Sequence, residues 1–195
     1  MGDKFVPQTE SRLNEITEFI KRKKDNHMKV FFDIESTGLD PVRDEILQLS
    51  IINENEEVLF SDYIRLVRHK TWNEAEKINH ISPEMVKDKQ TFESRKQEIQ
   101  KIFDQATELI AYNANFDISF LKAVGIVLPD VPISDPMIDF SFVYREYSEK
   151  YGIFKWQKLV VAARYYGYEF DAHDSLEDIK ATKFVYDKMK EKSQK

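Results

Sequence analysis

The sequence predicts one α/β domain with a mixed sheet covered by helices. Two observations predict it. Three strand-like segments follow one another closely near the start, and short apolar strands then alternate with helical patterns. A third observation, a set of acids placed at strand ends and helix starts, concerns function.

The strands come first. Val30-Phe31-Phe32 is a short apolar run of the buried-strand type. Ile46 to Ile52 reads as a second strand and Val58 to Ile64 as a third, joined by the turn-like Asn53-Glu54-Asn55-Glu56. So short a connection forces those two strands to be antiparallel. Leu109-Ile110-Ala111-Tyr112 and Ile133-Ser134-Asp135 read as later, shorter strands. Helices are expected from Pro83, from Thr91 as a cap ahead of Phe92, Ile99, Ile102 and Phe103, and from Phe116 to Val124, ending at Gly125. Three more are expected over roughly 137–147, 156–166 and 175–190.

Residues 1–28 read as an N-terminal helical extension, with Leu13, Ile16 and Ile20 at helical spacing ahead of Lys21-Arg22-Lys23-Lys24. That basic run suits the negative end of a helix dipole; phosphate contact is the alternative. Residues 29–195 form the main domain. No repeat or linker divides them.

Composition sets limits. Hydrophobic content is 42% and charged content 33%, which reads as a globular, soluble chain. No apolar run approaches the ~20 residues of a membrane helix. There is no cysteine, which excludes disulfides and thiolate metal sites and fits a cytoplasmic location. A net charge of −6 argues against a broad basic DNA-coating surface. It leaves room for an enzyme that grips a few nucleotides and uses bound cations to offset its own acids.

Three segments carry candidate chemistry. Asp33-Ile34-Glu35 places two carboxylates on one face of a strand, directly after a buried run. Such a pair repels itself unless a cation or solvent compensates, and Mg²⁺ and Mn²⁺ favour such oxygen ligands. Alone, the pair reads equally as two ordinary surface acids, or loosely as a phosphatase loop. Asp117 opens a helix after Asn113-Ala114-Asn115-Phe116, where a simple capping role is the ordinary reading. His173 lies on a loop just ahead of Asp178, and Asp174 with Glu177 reads as a helix cap pair. A histidine titrates near neutrality and suits a general base, although a loop histidine is usually just that. His27, His69 and His80 read as structural or incidental.

Jointly these segments resemble the DEDDh 3′–5′ exonuclease superfamily, in its DnaQ-like branch, that of the DNA polymerase III proofreading subunit. Asp33-Ile34-Glu35-Ser36-Thr37-Gly38 is similar to its first motif. Asn113-Ala114-Asn115-Phe116-Asp117 is similar to its second, and His173 to Asp178 to its third. Pro136, Ser175 and His80 depart from the usual pattern without removing an acid or the base. A tyrosine-containing sister class is set aside, because Asp174 stands where its tyrosine would be.

The resemblance implies a ribonuclease H-like fold with a five-stranded mixed sheet. It implies that Asp33, Glu35, Asp117 and Asp178 hold two divalent ions, Mg²⁺ or Mn²⁺, with Asp33 bridging, and that His173 is the base. Thr37, Gly38, Leu39, Asn113 and Phe116 would meet the terminal nucleotide; for Leu39 and Phe116 a core role is equally open. Trp156 and Tyr165-Tyr166 are assigned to core packing ahead of base stacking. The implied substrate is a single-stranded DNA 3′ end, in proofreading or repair. The alternatives are RNA, as for RNase T or oligoribonuclease, and a non-catalytic binding module. A DNA polymerase or another replication protein is the implied partner, with docking through residues 1–28 left open.

Overall fold

The computed structural model describes residues 28–193. The expected extension therefore lies outside the described residues, apart from Met28, which opens the first strand. Strand β1 (Met28–Ser36) is the centre of a five-stranded sheet. On one side lies β2 (Ile46–Asn53), antiparallel to it, and then β3 (Val58–Tyr63), antiparallel to β2. On the other lie β4 (Ala106–Ile110) and β5 (Ile133–Ser134), both parallel. The order is β3-β2-β1-β4-β5, the five-stranded mixed sheet expected.

The helices are α1 (Asn73–Asn79), α2 (Pro83–Val86), α3 (Phe92–Phe103), α4 (Ala114–Ala123), α5 (Pro136–Tyr144), α6 (Leu159–Tyr165) and α7 (Ser175–Ser193). Thr91 caps α3 by accepting from the Ser94 amide, as its sequence position suggests. Helix α4 ends where Gly125 takes φ +81, a left-handed conformation that glycine adopts without strain.

Period-2 alternation in β1 assigns its two faces. Val30, Phe32 and Ile34 enter the main core with Leu49, Ile51, Ile99, Phe103, Phe120 and Leu121, beneath α3 and α4. Phe31 faces the other way, with Ile52 and Ile110, against Ile179 and Tyr186 of α7. Each fully buried side chain of this size contributes roughly 1.5–3 kcal/mol. A further cluster of Phe140, Ala162, Ala163, Ala181 and Val185 fixes α5 and α6 onto α7.

Two features differ from the expectation. Helix α1 carries no side-chain cap at Trp72 and buries only Asn79, so it lacked both start signal and apolar stripe. The helix expected over 137–147 stops at Tyr144, where Arg145 turns left-handed at φ +58. A small hairpin follows, β6 (Tyr147–Ser148) and β7 (Ile153–Phe154). Two-residue strands are too short to show a period.

Candidate active site

The site forms where the parallel pairing stops. Strand β4 ends at Ile110, opposite Phe31, while β1 continues to Ser36. Past that point β1 has no strand neighbour on that side. The buried Ile34 amide, left without a strand partner, donates instead to Asp117 Oδ1 at 3.0 Å. Asp117, in the first turn of α4, is thereby drawn to the strand end and is only 2% exposed. Asp135 takes the capping role at this turn, accepting from the amides of Asn113 and Ala114 at 3.0 and 2.9 Å. It caps α5 as well, through the Met137 amide at 3.0 Å.

Asp33 and Glu35 share the Phe31 face and so point toward α7. Asp178 lies in the first turn of α7, on the same side. The start of that helix is fastened to β2. Gln48 donates to Asp174 Oδ2 at 3.1 Å and accepts from the Ser175 amide at 3.2 Å. Ser50 and Ser175 share a hydrogen bond at 2.7 Å. Asp174 Oδ1 caps the helix, accepting from the amides of Leu176 and Glu177 at 3.0 and 3.2 Å. His173 then turns left-handed, φ +78, and its amide donates to Asp178 Oδ2 at 3.1 Å. A histidine in this conformation is uncommon, and such strain concentrates at functional positions.

Ligand atoms of Glu35, His173 and Asp178 lie within 4.8 Å of one another. Asp33 and Glu35 keep part of their surface open to water, yet protein surrounds their carboxyl groups. Burial, followed by repulsion from Asp117, Asp178 and Glu35, holds Asp33 well above the usual carboxylate range. Burial, then Asp178, pushes Glu35 up to about 8. Asp178 is raised to about 7, again chiefly by burial. Asp117 is raised by burial too, against the opposing pull of the Ile34 amide. Burial lowers the His173 pKa, helped by His80 and Lys158.

This donor set fits hard divalent cations. It consists of carboxylate oxygens that repel one another without a counter-charge. Asp178 Oδ1 adds an independent sign. It is buried and has no hydrogen-bond partner, although buried polar atoms rarely go unsatisfied. Asp33, Glu35, Asp117 and Asp178 are placed so that they could hold such a cation.

Thr37 and Gly38 form the turn beyond β1. Thr37 donates to Glu45 O through its amide and to Asp44 Oδ1 through its hydroxyl, at 3.0 and 3.2 Å. A Cβ on Gly38 would stand 2.6 Å from Asp44 Cγ, so any larger residue there must displace the Asp44 carboxylate. Leu39 is 84% exposed, outside any core. Asn113 is exposed with φ +66, a conformation asparagine tolerates. Phe116 is half-buried on the main core, its ring 5.0 Å from Phe120.

Several contributors escaped the sequence reading. The Asn79 side chain donates to Ser36 O at 3.3 Å, and its amide also faces Glu35. Gln48 and Ser50 are buried polar residues at alternate positions of an otherwise apolar strand, the one signal that could have found them. His80, read as incidental, is close enough to His173 to lower its proton affinity. Trp156, assigned to the core, is 58% exposed, and Tyr165 is exposed as well.

An exonuclease family model, named for RNase T, matches residues 30–186. The chain belongs to the RNase T exonuclease family. All three acid-bearing segments fall inside the matched region of that family. A PolC-type DNA polymerase III from Caldanaerobacter subterraneus subsp. tengcongensis is 29% identical over 85% of this chain and 12% of the polymerase. The DNA polymerase III subunit epsilon of Treponema pallidum is 29% identical over 55% of this chain and 51% of that subunit. The chain thus spans about half or less of these relatives. E. coli exonuclease I, solved with zinc and single-stranded DNA, superposes with a TM-score of 0.71 at 19% identity, covering 87% of this chain and 41% of the enzyme. At that identity the likeness establishes a shared ribonuclease H-like fold. Among the described residues no helix is long and apolar enough to cross a membrane.

Proposed function

We propose that this chain is a metal-dependent 3′–5′ exonuclease that releases nucleoside monophosphates from single-stranded DNA ends. The observation that carries the reading is the convergence of four buried or half-buried acids beside His173, with one Asp178 oxygen left without a partner. Family membership and the polymerase-associated relatives support it.

Two Mg²⁺ or Mn²⁺ ions bound there supply charge neutralisation and Lewis-acid assistance at the scissile phosphodiester. The chain's own work is positioning and proton transfer. Asp33, Glu35, Asp117 and Asp178 form the anionic cradle. His173, held neutral near pH 7 by its lowered pKa, takes a proton from the attacking water at an imidazole nitrogen. The oxygen of that water bonds to phosphorus as the bond from phosphorus to the 3′ oxygen breaks. The 3′ oxygen leaves with the shortened strand, and a nucleoside 5′-monophosphate is released. Backbone at Thr37 and Gly38 meets the terminal sugar, Leu39 packs on the terminal base, and Asn113 and Phe116 line the same pocket. We further propose action beside a DNA polymerase, in proofreading or repair, and in the cytoplasm, which the lack of cysteine fits.

The test is digestion of 3′- and 5′-labelled DNA and RNA oligonucleotides with Mn²⁺. Mononucleotides are expected from the 3′ end, with DNA preferred. Faster RNA cleavage would assign an exoribonuclease. No cleavage of either substrate would leave only a binding module, and full activity after Asp33→Ala with Glu35→Ala would clear those acids of any role.

A further inference from the structure

The hairpin between α5 and α6 has no part in the chemistry above, yet its composition is distinctive. Phe142 at the end of α5, and Tyr147, Tyr151 and Trp156 in the segment after it, all expose more than half of their surface. Two of these rings are braced: Phe142 and Tyr147 both meet Phe154 edge-on, at 5.9 and 6.0 Å. Residues 145–158 carry four cations, Arg145, Lys150, Lys155 and Lys158, against two acids, Glu146 and Glu149, in a chain of net charge −6. Glu146 engages Lys155 at 2.7 Å, which leaves Glu149 against the other three cations. Lys150 lies over the Tyr151 ring at 4.8 Å.

The hairpin also adjoins the catalytic cleft. Gln157 O accepts from the Tyr112 hydroxyl at 2.8 Å, one residue before Asn113. Lys158 is near enough to His173 to influence its proton affinity. Exposed, fixed aromatic rings interleaved with cations form the surface that single-stranded nucleic acid recognises, through base stacking and backbone charge. A protein-docking face needs no such excess of one charge.

We infer that this aromatic and basic hairpin is a stacking track for the single strand upstream of the 3′ end, extending the grip beyond the terminal nucleotide. The inference rests on the nuclease reading for its direction, but binding can be measured without turnover. The chain has two tryptophans; Trp72 is 6% exposed, with its indole N–H donated to Ile81 O, so quenching by a bound strand reports Trp156.

The probe is a twelve-residue oligothymidylate added in EDTA. Quenching of tryptophan fluorescence is expected, and Trp156→Ala should abolish it. Trp156→Ala combined with Lys150→Gln should weaken oligonucleotide binding about tenfold. With Mn²⁺, the same pair should raise the ratio of KM for the twelve-mer to KM for a dinucleotide by a similar factor. Absence of quenching together with an unchanged KM ratio would overturn the track and leave the nuclease reading standing. Quenching by a strand that is never cleaved would do the reverse. Loss of self-association in the double variant, with oligonucleotide affinity intact, would overturn the track and assign the face to protein.

Discussion

Replacing Asp178 by Asn should make the metal-free protein more stable at pH 8.5 and leave it nearly unchanged at pH 4. Asp178 is buried, and its carboxyl is raised from 3.8 to about 7. A group whose pKa is higher in the folded state holds more protons there than in the unfolded chain. Stability then falls as pH rises between the two values, from about 4 to about 7, and stays low above them. Three pKa units correspond to roughly 4 kcal/mol of ionisation cost. Repulsion is shared among neighbouring acids, so roughly 2–4 kcal/mol is the expected gain on removing this charge. The effect extends to Glu35, for which Asp178 is the largest source of repulsion. The His173 amide keeps its acceptor, because the asparagine carbonyl can replace Asp178 Oδ2. In a domain of this size each kcal/mol moves Tm by about 2–4 °C. Thermal melts in EDTA should therefore show the variant melting about 4–16 °C above the wild type at pH 8.5 and level with it at pH 4. Adding Mn²⁺ at pH 8.5 should reverse the order, stabilising the wild type more. Equal differences at both pH values, or a less stable variant at pH 8.5, would show that Asp178 is not held as a strained anion.

Metal removal gives a second expectation. Dialysis against EDTA should abolish turnover, and Mn²⁺ at about a hundred times its Kd should stabilise the wild type by about 2.7 kcal/mol, read by urea titration. His173→Ala should keep that Mn²⁺-dependent stabilisation while kcat falls about 10²–10⁴-fold. In the wild type kcat should rise with pH as His173 loses its proton, and the rise should begin below the ordinary histidine range because burial and the neighbouring His80 and Lys158 depress the pKa. Lys158→Gln removes one of those charges, so it should move the rise to higher pH in a pH–rate profile. Gly38→Ala should raise KM by displacing the Asp44 carboxylate that holds Thr37, with the fold intact by circular dichroism.

How much of this was legible in the sequence depends on distance along the chain. Strands β1 to β3 were readable because apolar runs and a four-residue turn are local signals. The acids of the site were readable only jointly. Asp117 resembles a cap, but Asp135, eighteen positions away, performs that role, and Asp117 instead accepts from the Ile34 amide. No local rule places an unpaired strand amide opposite a particular carboxylate. The braces were less legible still. Gln48 and Ser50 fasten the start of α7 across more than a hundred residues, and nothing near them names Asp174 or Ser175 as partners. The hairpin was lost for a different reason: Arg145 adopts a left-handed turn without glycine or asparagine to announce it.

Gln48 couples the sheet to the acid that sits on a helix. Asp33 and Glu35 are fixed by β1, whereas Asp178 depends on where α7 begins. Gln48 lies opposite Glu35 in the strand register and grips both Asp174 and the Ser175 amide. Gln48→Ala leaves those two groups short of a partner inside a closely packed region, at a cost of roughly 1–3 kcal/mol. The larger consequence is geometric. Asp178 must stand within a few ångströms of Glu35 and His173, and a helix start freed from β2 can shift by that much. Weaker Mn²⁺ binding and a lower kcat should therefore accompany a Tm loss of only a few degrees. Gln48→Glu should fare worse, because a further carboxylate would face Asp174 beside acids already raised by burial and mutual repulsion. If metal affinity and kcat in Gln48→Ala matched the wild type while Tm fell, the brace would be structural alone, and the position of Asp178 would be set by the packing of Ile179 and Tyr186 against Phe31.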